Sequence, residues 1–154
     1  MCGIMDRTEQ IDFHILTEDT ALLLMTARGR EEVFDNEVDA DQLAGFVQDA
    51  GHEMVFAVAD GRLLGMASGT VLRHPDKQPA LFVNEVGVAE DMRNQGLGAE
   101  LTQRLIDLAR ARDCKGIWLA TEEDNAPARA LYRKLGARET GGIVVYDWDG
   151  AMDE

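Results

Sequence analysis

A carboxylate inside an apolar run, and a glycine-bearing turn shortly after it, are the places in this chain where residue type and spacing could do chemistry. Glu85 stands within Leu81–Val88 (LFVNEVGV), which is apolar and rich in branched residues, as a mostly buried strand should be. A carboxylate so placed needs either solvent or a purpose. Facing a cleft, it would have its pKa raised by desolvation and would be suited to take a proton, directly or through water. Such help is typically worth about 10²- to 10⁴-fold in rate. The plain alternative is a glutamate on a solvated strand face.

Beyond the strand, Arg93-Asn94-Gln95-Gly96-Leu97-Gly98-Ala99 leads into helical spacing. Leu97, Leu101, Leu105 and Leu108 share one face, with Glu100, Gln103, Arg104 and Asp107 elsewhere. The first N–H groups of a helix have no partner within it and lie at the positive end of its dipole, so an anion can sit on them. Gly96 and Gly98 leave the approach open, and Arg93 adds a full positive charge at the mouth of the turn. The stretch reads as a pyrophosphate cradle over Gln95 to Ala99, or else as a tight turn into an ordinary helix. It is not a Walker loop, which ends in Gly-Lys-Ser/Thr. A dinucleotide fingerprint wants a small residue where Leu101 stands, and a further β-α-β half that the 56 residues after Gly98 hardly accommodate.

The elements that must position these residues follow from periodicity and turn chemistry. Ile11–Leu16 reads as an edge strand, and Thr17 or Asp19 as the cap of a helix running through Leu22, Leu23 and Met25 towards Val33 and Phe34. A second helix is expected from about Asp41 to Ala50, stopped by Gly51. Met54–Ala59 and Arg62–Leu72 read as strands joined at Asp60-Gly61, a strong hairpin signal, with Gly65 and Gly69 marking bulges or close packing. After the long helix come a short strand, Gly116–Ala120, and a polar stretch, Thr121–Asn125. A helix from Ala126 to Leu135 with Pro127 in its first turn follows, and then a last strand, Ile143–Trp148.

Two of these segments together resemble the GNAT superfamily of acyl-CoA-dependent N-acetyltransferases. Arg93-Asn94-Gln95-Gly96-Leu97-Gly98 matches that family's R/Q-x-x-G-x-G/A motif, directly after a strand. Asn125 to Ala137 is similar to its second signature, N-x-x-A-x-x-x-Y-x-x-x-G-F, with Ala137 in place of the aromatic. The resemblance implies a single domain over residues 1–154: an α/β (α+β) fold with one mixed, largely antiparallel sheet flanked by about four helices. It implies acetyl-CoA as co-substrate, with the pantetheine arm along Val86, Gly87 and Val88 and the pyrophosphate on Arg93, Asn94, Gln95, Gly96, Leu97, Gly98 and Ala99. It further implies Asn125 and Tyr132 as contacts of the arm, Tyr132 as the proton donor to the departing thiolate, Glu85 as the general base, and a homodimer through the last strand.

Within the family, the Ala130-Leu131-Tyr132 run followed by a closing strand with Asp147 looks like the aminoglycoside 3-N-acetyltransferases, although the likeness fades over the N-terminal helices. Composition is compatible with such a substrate. Fifteen basic against twenty-nine acidic residues give a formal charge of −14, which disfavours nucleic acid and anionic membranes and attracts cations. Glu31, Asp35, Glu85, Glu122, Glu123 and Asp147 are the candidate contacts of a cationic amine; a solvated acidic surface or adaptation to high salt accounts for the charge equally well. Other primary amines, in polyamines or peptides, and a non-catalytic acyl-CoA-binding role are the competing readings. Cys2 and Cys114 stand alone, and His14, His52 and His74 share no ligand spacing, so neither a disulfide nor a metal is expected. No basic-then-apolar leader and no long apolar window are present, and the expected location is the cytoplasm.

Overall fold

The computed structural model describes residues 10–153. Those up to Ala120 form one compact unit and those from Thr121 onward a second. The first unit is a five-stranded sheet in the order β1 (Asp12–Ile15), β2 (His52–Ala59), β3 (Arg62–Leu72), β4 (Ala80–Val88), β5 (Gly116–Trp118). Neighbours are antiparallel except for the parallel β4–β5 pair. Asp60 and Gly61 both have positive φ, 50° and 74°, the turn geometry that matches strand twist and that Asp-Gly favours.

Helices cover both faces. On one lies α4 (Leu97–Ala111), whose Leu97, Leu101, Leu105 and Ala109 are buried against Ala67, Leu81 and Val83. A fully buried leucine such as Leu101 contributes about 1.5–3 kcal/mol by leaving water. The opposite face carries α1 (Ala21–Thr26), α2 (Arg30–Val33) and α3 (Ala40–Gln48), with Leu24, Val33, Phe56, Leu63 and Met66 at its centre. Asp39 caps α3 by accepting from the Gln42 N–H at 2.9 Å. Arg112, at the end of α4, donates to the Ala50 carbonyl at 2.7 Å and to Glu53 at 2.5 Å, fastening the helix to the start of β2.

Several sequence expectations need correction here. The first helix is not continuous: Ala27 turns extended, with ψ 143°, and Gly29, at φ +80°, caps a new helix, so the span divides into α1 and α2; five α-helices are present among the described residues, in keeping with the about four expected. The cap position of α1 is Thr20, not Thr17 or Asp19; the second helix starts at Ala40 and ends at Gln48; β5 stops at Trp118. Cys2 lies outside the described residues.

The second unit contains α5 (Ala126–Lys134), with Asn125 at its cap. Ile143–Trp148, expected as the last strand, belongs to no strand or helix; Ile143, Val144, Val145, Tyr146 and Trp148 are exposed. Its branched and aromatic composition suits a pleated surface, but that preference is realised only against a neighbouring strand, and this segment has none among the described residues. Arg129 and Arg133 both pair with Glu139, at 2.9 and 3.0 Å, and so hold the segment after α5 back against that helix. This pair of guanidiniums pulls the Glu139 carboxyl down to a pKa of about 2.

Candidate active site

The site in the first unit begins with an irregularity in β4. Ser68 pairs with Glu85 and Gly69 with Val83, so Asn84 is an extra residue with no opposite number on β3. The Asn84 side chain donates to Thr70 Oγ1 at 2.9 Å instead. Leu81 and Val83, before the bulge, pack on the α4 side, and so do Val86 and Val88 after it. Glu85 and Gly87 consequently share the opposite face with Met66, the cross-strand partner of Gly87.

Gly87 is required there by space. A Cβ on it would lie 2.4 Å from the main-chain oxygen of Val33, so the segment following α2 rests directly on the strand. Two residues past Val33 comes Asp35. The Glu85 carboxyl is open to solvent on one side, yet its pKa is raised, first by partial desolvation and then by the negative charge of Asp35. Of the expected substrate contacts, Glu85 and Asp35 are therefore brought into electrostatic reach of each other. Glu31 is exposed on α2.

On its other edge, β4 pairs with β5 only over Ala80, Leu81 and Phe82. From Val83 to Val88 that edge has no strand partner among the described residues, so its main-chain groups are free for an extended ligand to add as a strand would. The Phe82 and Trp118 rings, 4.6 Å apart, close the paired end.

The unpaired edge leads into the turn before α4. A short 3-10 turn, Glu90–Met92, comes first. Arg93 Nε then donates to the Val88 carbonyl at 3.3 Å, and the Gln95 amide donates to the Asp91 carbonyl at 2.8 Å. Asn94 and Gly96 take positive φ, 63° and 85°, and Gly96 is the N-cap of α4 with no side chain to satisfy the first helical N–H groups. A Cβ on Gly96 would meet nothing within 4 Å, so its dihedral, rather than crowding, calls for glycine. Buried Leu97 anchors the helix start in the core, and the N–H groups of Leu97, Gly98 and Ala99 are left without intrahelical acceptors. These features fit a diphosphate and its extended arm.

One contact was not legible in the sequence. Arg62, at the start of β3, donates to both oxygens of Asp91, at 2.6 and 3.0 Å, and to Glu32 on α2 at 3.3 Å. These partners are 29 and 30 residues away, and no local pattern connects them.

In the second unit, Asn125 Oδ1 accepts from the Ala128 N–H at 3.2 Å and its amide donates to Thr121, so the side chain caps α5. Tyr132, two turns along, is partly buried, and burial pushes its phenol pKa up. Glu122 and Glu123 are exposed before the helix, while Asp147 accepts from the Met152 N–H at 3.0 Å in the turn that follows it. Among the described residues no group of three or more His, Cys, Asp or Glu side chains is placed to hold a metal ion, and no helix is long and apolar enough to cross a membrane.

A profile of the acetyltransferase (GNAT) family matches residues 17–137, a span that includes the bulged strand, the turn and α5. The chain belongs to the GNAT family. This GNAT chain is 39% identical over 88 residues to a mycothiol acetyltransferase of Clavibacter michiganensis, covering 57% of the chain and 27% of that relative. Over 90 residues it is 33% identical to the streptothricin acetyltransferase of Streptomyces lavendulae, covering 58% of the chain and 46% of the relative. It thus spans about a quarter to a half of the length of these curated relatives. Its fold is similar to that of the aminoglycoside N-acetyltransferase AAC(6')-Iy in complex with CoA, with a TM-score of 0.74 at 19% identity over 93% of this chain and 97% of that one. The resolved likeness is therefore to a 6'-enzyme and concerns the fold, with nothing specific to the 3-N branch.

Proposed function

We propose that this GNAT chain transfers the acetyl group of acetyl-CoA to a primary amine of a cationic small molecule, with aminoglycosides, at the 3-N position, as the first choice. The observation that carries the reading is the unpaired β4 edge running from the bulge beside Glu85 to the open N-terminus of α4. Acetyl-CoA supplies an acyl group activated as a thioester; the protein supplies position and proton movement. The β4 main chain from Val86 to Val88 would hold the arm, with the Val86 N–H available to the thioester oxygen as negative charge develops on it. N–H groups at the start of α4, with Arg93, would take the diphosphate.

Glu85 would remove the proton that keeps the acceptor an ammonium. Its raised pKa makes it a stronger base than an ordinary glutamate. The amine nitrogen then bonds to the thioester carbon and gives up its second proton to water as the carbon–sulfur bond breaks; Tyr132 would protonate the leaving sulfur and recover its own proton from solvent. Asp35, beside Glu85, would attract a second ammonium on the acceptor, with Glu31, Glu122, Glu123 and Asp147 as further contacts. Exposed pairs are worth only about 0–1 kcal/mol each, so useful affinity needs several together. The streptothricin acetyltransferase among the relatives supports acetylation of an amine. A cytoplasmic location and a homodimer formed through the exposed Ile143–Trp148 segment belong to the same reading; light scattering of the protein with and without W148D tests the latter.

The testing experiment follows release of free thiol from acetyl-CoA with gentamicin, sisomicin, kanamycin, spermidine and a lysine peptide, at low and high salt. Release with the antibiotics, weakening as salt rises, is the expected result. Release with spermidine or peptide alone would move the chain to other amines, and CoA binding without any release would leave a binding module.

A further inference from the structure

We propose that Arg62 is a positioning residue for acetyl-CoA, acting through Asp91: it holds the turn ahead of the pyrophosphate cradle and cancels a carboxylate that would otherwise repel the diphosphate. The inference rests on reading residues 93–99 as that cradle.

Asp91 is fixed at two points. Its carboxylate takes two hydrogen bonds from Arg62, at 2.6 and 3.0 Å, and its main-chain carbonyl accepts from the Gln95 amide at 2.8 Å. The segment from the 3-10 turn to Gly96 is therefore tied to β3 through this side-chain pair, in addition to the Arg93 hydrogen bond to Val88 of β4. Two-pronged guanidinium–carboxylate pairing constrains orientation as well as distance, which a lysine cannot do.

Arg62 is itself well placed. The Arg28 N–H donates to the Gly61 carbonyl at 2.9 Å and the Leu63 N–H to the Arg28 carbonyl at 2.8 Å, so the backbone on either side of Arg62 is stitched to the α1–α2 junction. Glu32 engages the same guanidinium at 3.3 Å.

The charge argument is independent of the mechanical one. Glu90 and Asp91 immediately precede a site that has to accept a diphosphate, in a chain of net charge −14. Asp91 is two residues from Arg93, and charges closer than about 8 Å interact at physiological salt. Arg62 holds the Asp91 carboxyl below its usual pKa, chiefly through the hydrogen bond, so Asp91 stays ionised across the working range and its charge has to be balanced locally.

The test is calorimetric titration of CoA into the full chain and into R62A, R62K, D91N and R62A/D91N, at low and high salt, with melting curves recorded for each. R62A is expected to weaken CoA binding about three- to tenfold, R62K less so, and the deficit should shrink as salt rises. Removing the stranded carboxylate should restore part of the loss, so R62A/D91N binds more tightly than R62A. A merely structural role for Arg62 would show neither the salt dependence nor this suppression. Unchanged binding by R62A, or a double-variant loss equal to the product of the two single losses, would overturn the inference. Absence of CoA binding by the unaltered chain would overturn the cradle reading itself, and this inference with it.

Discussion

Replacing Gly87 by alanine inserts one methyl group where the structure has least room for it. The added carbon would lie 2.4 Å from the Val33 carbonyl oxygen, whereas ordinary contacts begin at 3.4 Å, a shortfall of 1.0 Å. The obstacle is main chain on a packed sheet face, so no rotamer relieves it; either β4 or the segment after α2 has to move. Overpacking of this kind typically costs about 1–3 kcal/mol, and in a chain of this size each kcal/mol lowers the melting temperature by about 2–4 °C. The expected fall is about 2–12 °C by calorimetry. Displacing Val33 also displaces Asp35, so any acid-side inflection of activity should move with it. Gly45 provides the internal comparison. A Cβ there meets nothing within 4 Å, and G45A, inside α3, should raise stability by up to about 1 kcal/mol through helix propensity. A G87A protein that melts with the unaltered chain and keeps its pH profile would refute the claim that this contact sets the site.

Replacing Asp35 with asparagine removes one of the two causes that raise the Glu85 pKa, so the low-pH limb of kcat/KM should shift to lower pH; an unmoved limb would separate the two residues. E85Q should lower kcat by about 10²- to 10⁴-fold while CoA binding, measured by calorimetry, stays unchanged. Glu139 is depressed from 4.5 to about 2, so its contribution to order in the second unit is complete above pH 4.5 and lost as pH falls towards 2. Circular dichroism should show that acid transition in the unaltered chain and its absence in E139Q.

What was legible in the sequence was local. Asp60-Gly61 announces its hairpin, the leucines of α4 announce its buried face, and Arg93 to Ala99 announce a glycine turn into an uncapped helix start, because each depends on neighbours within a few residues. Glu85 was noticed because a carboxylate is out of place in an apolar strand; that Asp35 would sit near it depended on the close approach of Val33 to Gly87, which no spacing encodes. Arg62 escaped for the same reason. The interruption from Ala27 to Gly29 is masked by helical apolar spacing on both sides of it, and the composition of Ile143–Trp148 suits a strand without saying whether an edge is available.

The extra residue in β4 works as a frame shift in three dimensions. Side chains of a strand alternate sides with period two, so an uninterrupted β4 would send position 85 to the same side as Leu81 and Val83, beneath α4. An ionised glutamate there would lose its water without a partner, and its neighbours Val86 and Val88 would exchange places with Gly87. Deleting Asn84 alone, a residue whose side chain bonds to Thr70, would remove the bulge and restore strict alternation with Glu85 still on the side opposite Leu81 and Val83. Pairing Asn84 as an ordinary ladder residue, with the sequence unchanged, is what would interchange the chemical and the structural faces of the central strand and leave its carboxylate in the wrong compartment.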